Sequence, residues 1–152
     1  MATIKRFEDL QVWQRARCLA VKLYRISNEG PFAKDFGLRG QIQRAAVSIV
    51  SNIAEGFDRR SNSQFAQFLE IAAGSASEVR AQLYIALDVG YVGRTQFDEL
   101  FADVSEISGM LTNFMRYLKT TPNKLSHPKT LKPSRSQITK PSNSQTLTLS
   151  NP

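Results

Sequence analysis

The strongest constraint on how this chain can fold is a ladder of apolar side chains. Phe97, Leu100, Val104, Ile107, Leu111, Phe114 and Leu118 follow one another at gaps of 3, 4, 3, 4, 3 and 4. That alternation places all seven on one stripe of an α-helix, whereas a half-buried strand would repeat every second residue. A stripe of this kind is sheltered from water only by packing against another apolar face, so the rest of the chain must supply partners.

The upstream sequence supplies three. A first helix is predicted from about Glu8 to Ser27, with Val12, Trp13, Ala16, Leu19, Ala20, Leu23 and Tyr24 on one arc and Arg15, Lys22 and Arg25 on the other side. Asn28-Glu29-Gly30-Pro31 stops it, and Phe32 to Gly37 reads as a connection. A second helix is predicted from near Leu38 to Gly56, with Gly56 as its C-terminal glycine. Ser61 or Asn62 can cap a third helix from about Ser63 to Val89. Gly90 and Gly93 then interrupt the pattern, and Thr95 can cap the fourth helix. No strand pattern is present. Four helices with mostly short connections predict an all-α, antiparallel up-down-up-down four-helix bundle over residues 1–120, with Trp13 and the phenylalanines in its core.

Beyond Thr120 the composition changes. Five prolines punctuate a Ser/Thr/Asn/Lys-rich run in which Lys132-Pro-Ser-Arg-Ser-Gln137 returns as Lys140-Pro-Ser-Asn-Ser-Gln145. Such a segment cannot bury enough apolar surface to offset chain entropy, so residues 121–152 are expected to form a disordered, basic, low-complexity tail. A basic arm on nucleic acid phosphates and a translated DNA repeat without a role are the two other readings of it. The charge is uneven as well. Of the net +7, residues 1–120 carry 15 Lys/Arg against all 13 Asp/Glu, and the tail adds Lys124, Lys129, Lys132, Arg135 and Lys140 without an acid.

Several function classes are set aside by what the chain lacks. Cys18 and His127 are single, so no internal disulfide, typical zinc site or bundle-borne Ser-His-Asp triad can be assembled, and no cofactor or small-molecule substrate is expected. No apolar run reaches the length of a membrane span, and Met1 to Asp9 lacks the apolar core of a secretory signal, so a cytoplasmic protein is expected.

The second helix carries an unusual polar stripe. Gln41, Arg44, Ser48, Asn52 and Glu55 lie in one line beside its apolar arc, and between Gly40 and Phe57 only Arg44 and Glu55 are charged. The third helix is similarly poor in charge and contains the small-residue run Ala72-Ala73-Gly74-Ser75-Ala76-Ser77. One reading is a structural polar seam of Gln41, Arg44, Ser48, Asn52, Glu55, Ser75 and Glu78, in which Arg44 pairs with Glu78 and Asn52 bonds to Ser75. The other is a Glu55/Glu78 carboxylate pair for acid/base or metal chemistry, disfavoured because di-metal bundles add Glu-x-x-His motifs and the only histidine lies outside the helices. No catalytic or metal residue is therefore assigned. Two helices with so little charge on their outer faces need a cover, and a second copy of the chain is the simplest one, so a homo-oligomer is expected.

Phe7-x-x-Leu-x-Val-Trp13, Phe36-Gly-Leu-x-x-Gln-Ile42, Arg44-Ala-Ala-x-Ser48, Asn52-Ile-Ala-Glu-Gly56 and Phe68-Leu-x-Ile-Ala-x-Gly-Ser75 with Glu78 together carry a family resemblance. The chain resembles, over roughly residues 5–119, the bacterial four-helix-bundle proteins encoded in intervening sequences of large-subunit ribosomal RNA genes, a family that includes the accessory variability determinant of diversity-generating retroelements. The resemblance implies a ring-like homopentamer without catalytic activity. It also implies binding to RNA or DNA and, for retroelement members, to a reverse transcriptase. The best candidates for phosphate contacts are Arg15, Lys22 and Arg25 on the first helix and Arg59-Arg60 in the turn before the third, with Arg17 a weaker one. The alternative is a structural or protein-interaction bundle with no affinity for nucleic acid.

Overall fold

The computed structural model describes residues 3–122, and the segment expected to be a disordered tail lies, past Pro122, outside the described residues. Four α-helices follow in order: α1 (Gln11–Ser27), α2 (Phe36–Phe57), α3 (Asn62–Asp88) and α4 (Arg94–Thr120). Single 3-10 turns at Phe7–Asp9 and Gly30–Lys34 precede α1 and α2. Each helix packs on its sequence neighbour, and α4 closes the square against α1, so α1 and α3 stand at opposite corners of an up-down-up-down bundle.

The predicted stripes face inward. Phe97, Leu100, Val104, Ile107, Leu111 and Leu118 of α4 are buried, and Phe114 is half-buried against them. They meet Leu19 and Leu23 of α1, Ile42, Ile49 and Ile53 of α2, and Phe65, Leu69 and Leu83 of α3 in one core. Each such aliphatic or aromatic side chain contributes roughly 1.5–3 kcal/mol by leaving water. Trp13 is only partly covered, packing edge-on to Phe7 at 5.1 Å. Phe36 departs from the expected core altogether. It is 72% exposed at the start of α2, with the Arg39 guanidinium 5.0 Å over its ring.

Local chemistry explains the helix ends. Ser61 caps α3 as expected, its hydroxyl accepting from the Gln64 amide at 3.2 Å. α3 ends where Gly90 adopts φ +82°, a left-handed conformation natural to glycine. The Tyr91 amide then donates to the Ala86 carbonyl at 2.8 Å and the Gly90 amide to Leu87 at 3.1 Å, closing a Schellman-type stop. α4 starts one residue before Thr95, with Gly93 in the cap position, so Thr95 is not the cap. α2 starts earlier than Leu38 because Asp35 caps it, accepting from the Leu38 amide at 3.0 Å. Tyr91 reinforces this cap by donating its hydroxyl to Asp35 at 2.9 Å while its ring stacks 5.1 Å from the fully buried Phe32.

Gly56 has a different role from the expected one. It sits inside α2, which runs on to Phe57, and its φ is not positive. A Cβ there would lie 2.7 Å from Cδ2 of Phe65 and 2.8 Å from Cβ of Phe68. Gly56 thus makes room for the start of α3 beside the end of α2, a demand of packing and not of backbone conformation.

Two outcomes are expected. Gly56→Ala should lower unfolding stability by about 1–3 kcal/mol through overpacking, read as a lower urea midpoint at unchanged m-value. The Asp35 cap should make stability pH-dependent in the acid range. The Leu38 amide, followed by the Tyr91 hydroxyl, holds the Asp35 carboxyl below its usual value. As pH falls the unfolded chain therefore takes up that proton first. The contribution is whole above the ordinary aspartate range near about 3.9 and is lost as pH drops through the lower, folded value. Asp35→Asn, which keeps a capping oxygen, should flatten this part of the acid-unfolding profile.

Candidate nucleic-acid interface and polar seam

The polar stripe divides into a connected centre and solvated ends. Ser48 Oγ and Ser75 Oγ lie 2.7 Å apart across the α2–α3 contact. Asn52 donates through Nδ2 to the Ser48 carbonyl at 2.8 Å and to Ser48 Oγ at 3.0 Å. Ser75 is buried, Ser48 and Asn52 half-buried. The expected Asn52–Ser75 bond is therefore replaced by one relayed through Ser48, whose shorter side chain sits nearer the contact.

The longer members behave otherwise. Gln41, Arg44, Glu55 and Glu78 are all exposed within the single chain. Among the described residues no ion pair joins Arg44 to Glu78. Arg44 instead lies back along its own helix, its Nη1 3.1 Å from where a Gly40 Cβ would stand. The stripe runs along the rim of the helix contact, so a long side chain reaches water and no buried charge forces a partner. Glu55 pairs with Arg59 one turn on. Nor do Glu55 and Glu78 form a carboxylate pair. With Ser48 level with Ser75 on antiparallel helices, Glu55 is level with Phe68, about 15 Å along the axis from Glu78.

The five basic candidates are likewise split. Arg15 donates to Glu106 at 2.9 Å, and Lys22 to Glu99 at 3.0 Å and Asp103 at 2.8 Å. Both lie on the α1–α4 seam and not on an outer face, and the bonds to Asp103 and then Glu99 hold the Lys22 ammonium above its ordinary pKa. Arg59 is occupied by Glu55 and lies 4.5 Å over the Phe68 ring. Arg25 and Arg60 are exposed and, among the described residues, without a carboxylate partner. Arg17, the weaker candidate by sequence, is also exposed and free of a carboxylate, lying 5.7 Å over Trp13. Partners 77 to 91 residues away are invisible to a single-helix projection. The signal that could have found them is the complementary spacing of Arg15 and Lys22 with Glu99, Asp103 and Glu106.

A second set of cations emerges at the pole where α1 begins and α4 ends. Asn62 donates to the Thr121 carbonyl at 2.8 Å, fastening the start of α3 to the end of α4. Arg60, Arg116 and Lys119 are exposed around this joint, and the basic segment leaves from it after Pro122. Arg116 makes a 3.4 Å bond to Asn113, and among the described residues none of the three has a carboxylate partner.

Among the described residues no group of three or more His, Cys, Asp or Glu could hold a metal ion, and no helix is long and apolar enough to cross a membrane. The molecule is by class a helical bundle whose polar chemistry, among the described residues, lies in ion pairs, caps and hydrogen bonds between helices. Residues 8–113 match the family model described as 23S rRNA-intervening sequence protein, and the chain belongs to that family. The bundle is similar to a solved structure of a protein with unknown function from the S23 ribosomal protein family of Bacteroides thetaiotaomicron VPI-5482. The two share 27% identity and a TM-score of 0.64 over 69% of this chain and 98% of that one. Among curated proteins none matches the chain.

The serine contact makes a test of the seam. Ser48→Ala should cost about 1–2 kcal/mol, because it strands the buried Ser75 hydroxyl, and Ser75→Ala should cost less, because Ser48 Oγ still accepts from Asn52. The double variant should cost less than the sum, giving a coupling of about 0.5–1.5 kcal/mol in a denaturation cycle.

Proposed function

We propose that this protein is a non-enzymatic, self-associating helical bundle that binds nucleic acid electrostatically through the pole bearing Arg60, Arg116 and Lys119. The observation that carries the reading is the exposure of these three side chains, free of carboxylate partners among the described residues, around the root of a segment with five Lys/Arg and no acid. Lysine and arginine on phosphates release counterions, so the affinity is largely indifferent to sequence and falls steeply with salt. Membership of a family described by its ribosomal RNA intervening sequence supports the reading, as does the fold. A homopentamer, which would multiply a small cationic patch by its copy number, and a reverse transcriptase as partner rest on the family resemblance alone. The competing reading, a bundle that only contacts other proteins, draws on the neutralisation of Arg15, Lys22 and Arg59 by carboxylates of their own chain.

Anisotropy titrations of a labelled RNA stem-loop and a DNA duplex across a salt series decide between the two. The logarithm of the affinity should fall linearly with the logarithm of salt concentration. Arg60→Ala/Lys119→Ala should weaken binding and reduce the slope by about 0.7–0.9 per lost phosphate contact. Removing residues 123–152 should reduce it further. Absence of binding to either probe at low salt would favour the protein-contact reading.

A further inference from the structure

Charge is partitioned between the two halves of the bundle. α1 and α2 carry six Lys/Arg against the single carboxylate of Glu55, while α3 carries only Arg80 against Glu70, Glu78 and Asp88. With Arg15 and Lys22 held by α4, the outer face of α1 is left with Arg17 and Arg25. Between them lies Val21, 43% exposed beside an open groove of about 310 Å³ that Tyr24, Val47 and Val50 also line. The outer face of α3 is its complement. Glu70 and Glu78 are exposed without a cationic partner among the described residues, and Gly74 lies between them with nothing within 4 Å of an added Cβ. Ile71 and Ile85, just over half exposed, border this row.

The two rows have the same pitch. Arg17, Val21 and Arg25 on α1, and Glu70, Gly74 and Glu78 on α3, each form an i, i+4, i+8 ridge spanning about 12 Å, and the two helices run in the same direction.

We propose that the Arg17–Val21–Arg25 ridge and its groove dock onto the Glu70–Gly74–Glu78 ridge of a second copy, head to tail. The proposal rests on the self-association part of the function proposed above and names its surfaces. Opposite charges meet at both ends, and the bulk of Val21 meets the gap at Gly74. The interface joins different patches on the two copies. After one contact each copy keeps one free ridge of the pair, so association through these surfaces continues beyond two chains.

The test is sedimentation velocity on the full chain, with circular dichroism to confirm helix content. Arg17→Glu/Arg25→Glu and Glu70→Arg/Glu78→Arg should each weaken association by about 100-fold, since like charges then face one another. Mixing the two variants, or combining all four substitutions in one chain, should restore the parent's assembly. Gly74→Trp, whose new side chain starts in open space within its own chain, should block assembly while leaving the helices intact. A parent that assembles but is unmoved by either reversal, or reversed variants that mixing does not rescue, would overturn the docking surfaces and leave self-association standing. A parent that stays monomeric at every concentration would remove both.

Discussion

The bundle depends on how closely α2 and α3 approach. Small side chains make that approach possible. Gly56 clears the rings of Phe65 and Phe68, and Ser48 meets Ser75 where larger residues would hold the helices apart. A contact this close tolerates little sliding, because a shift of one residue would drive Phe65 into a side chain and strand the paired hydroxyls. The positions of Ile49, Ile53, Leu69 and Ala76 in the core follow from that register. So does the relative height of every outward-facing residue on the two helices.

Electrostatics then acts on a frame already set by packing. The carboxylates of α4 lie opposite the Arg15 and Lys22 side of α1 and take up its charge. Exposed pairs of this kind add little stability, on the order of 0–1 kcal/mol each. Their larger effect is to decide which cations remain available to other molecules. Arg17 and Arg25 on α1, and Arg60, Arg116 and Lys119 at one pole, are among those that remain.

Much of this was legible in the sequence, for identifiable reasons. The heptad of α4, the stop at Gly90 and the Ser61 cap are local, since each depends on residues within a few turns of one another. Local periodicity therefore revealed the four helices and most of the core. Gly56 was misassigned as a stop because a glycine required by a neighbouring helix and one required by a left-handed turn look the same in one dimension. The Arg44–Glu78 pair failed because helical projection gives an angle and not the distance to the next helix. Phe36 was misplaced because it lies beyond the last turn the core covers. The division of cations into occupied and free needed contacts between segments far apart in the chain, which no single-helix pattern contains.

The even number of helices has a further effect. α4 ends at the pole where α1 begins, and the Asn62–Thr121 bond holds that end in place. The described chain thus enters and leaves the bundle on one side of the molecule. Among the described residues the other pole carries the links Asn28–Asp35 and Val89–Gly93, fastened together by the Tyr91–Asp35 bond. A surface or partner that holds this entry-and-exit pole leaves the opposite cap open to approach, so the bundle is oriented by construction.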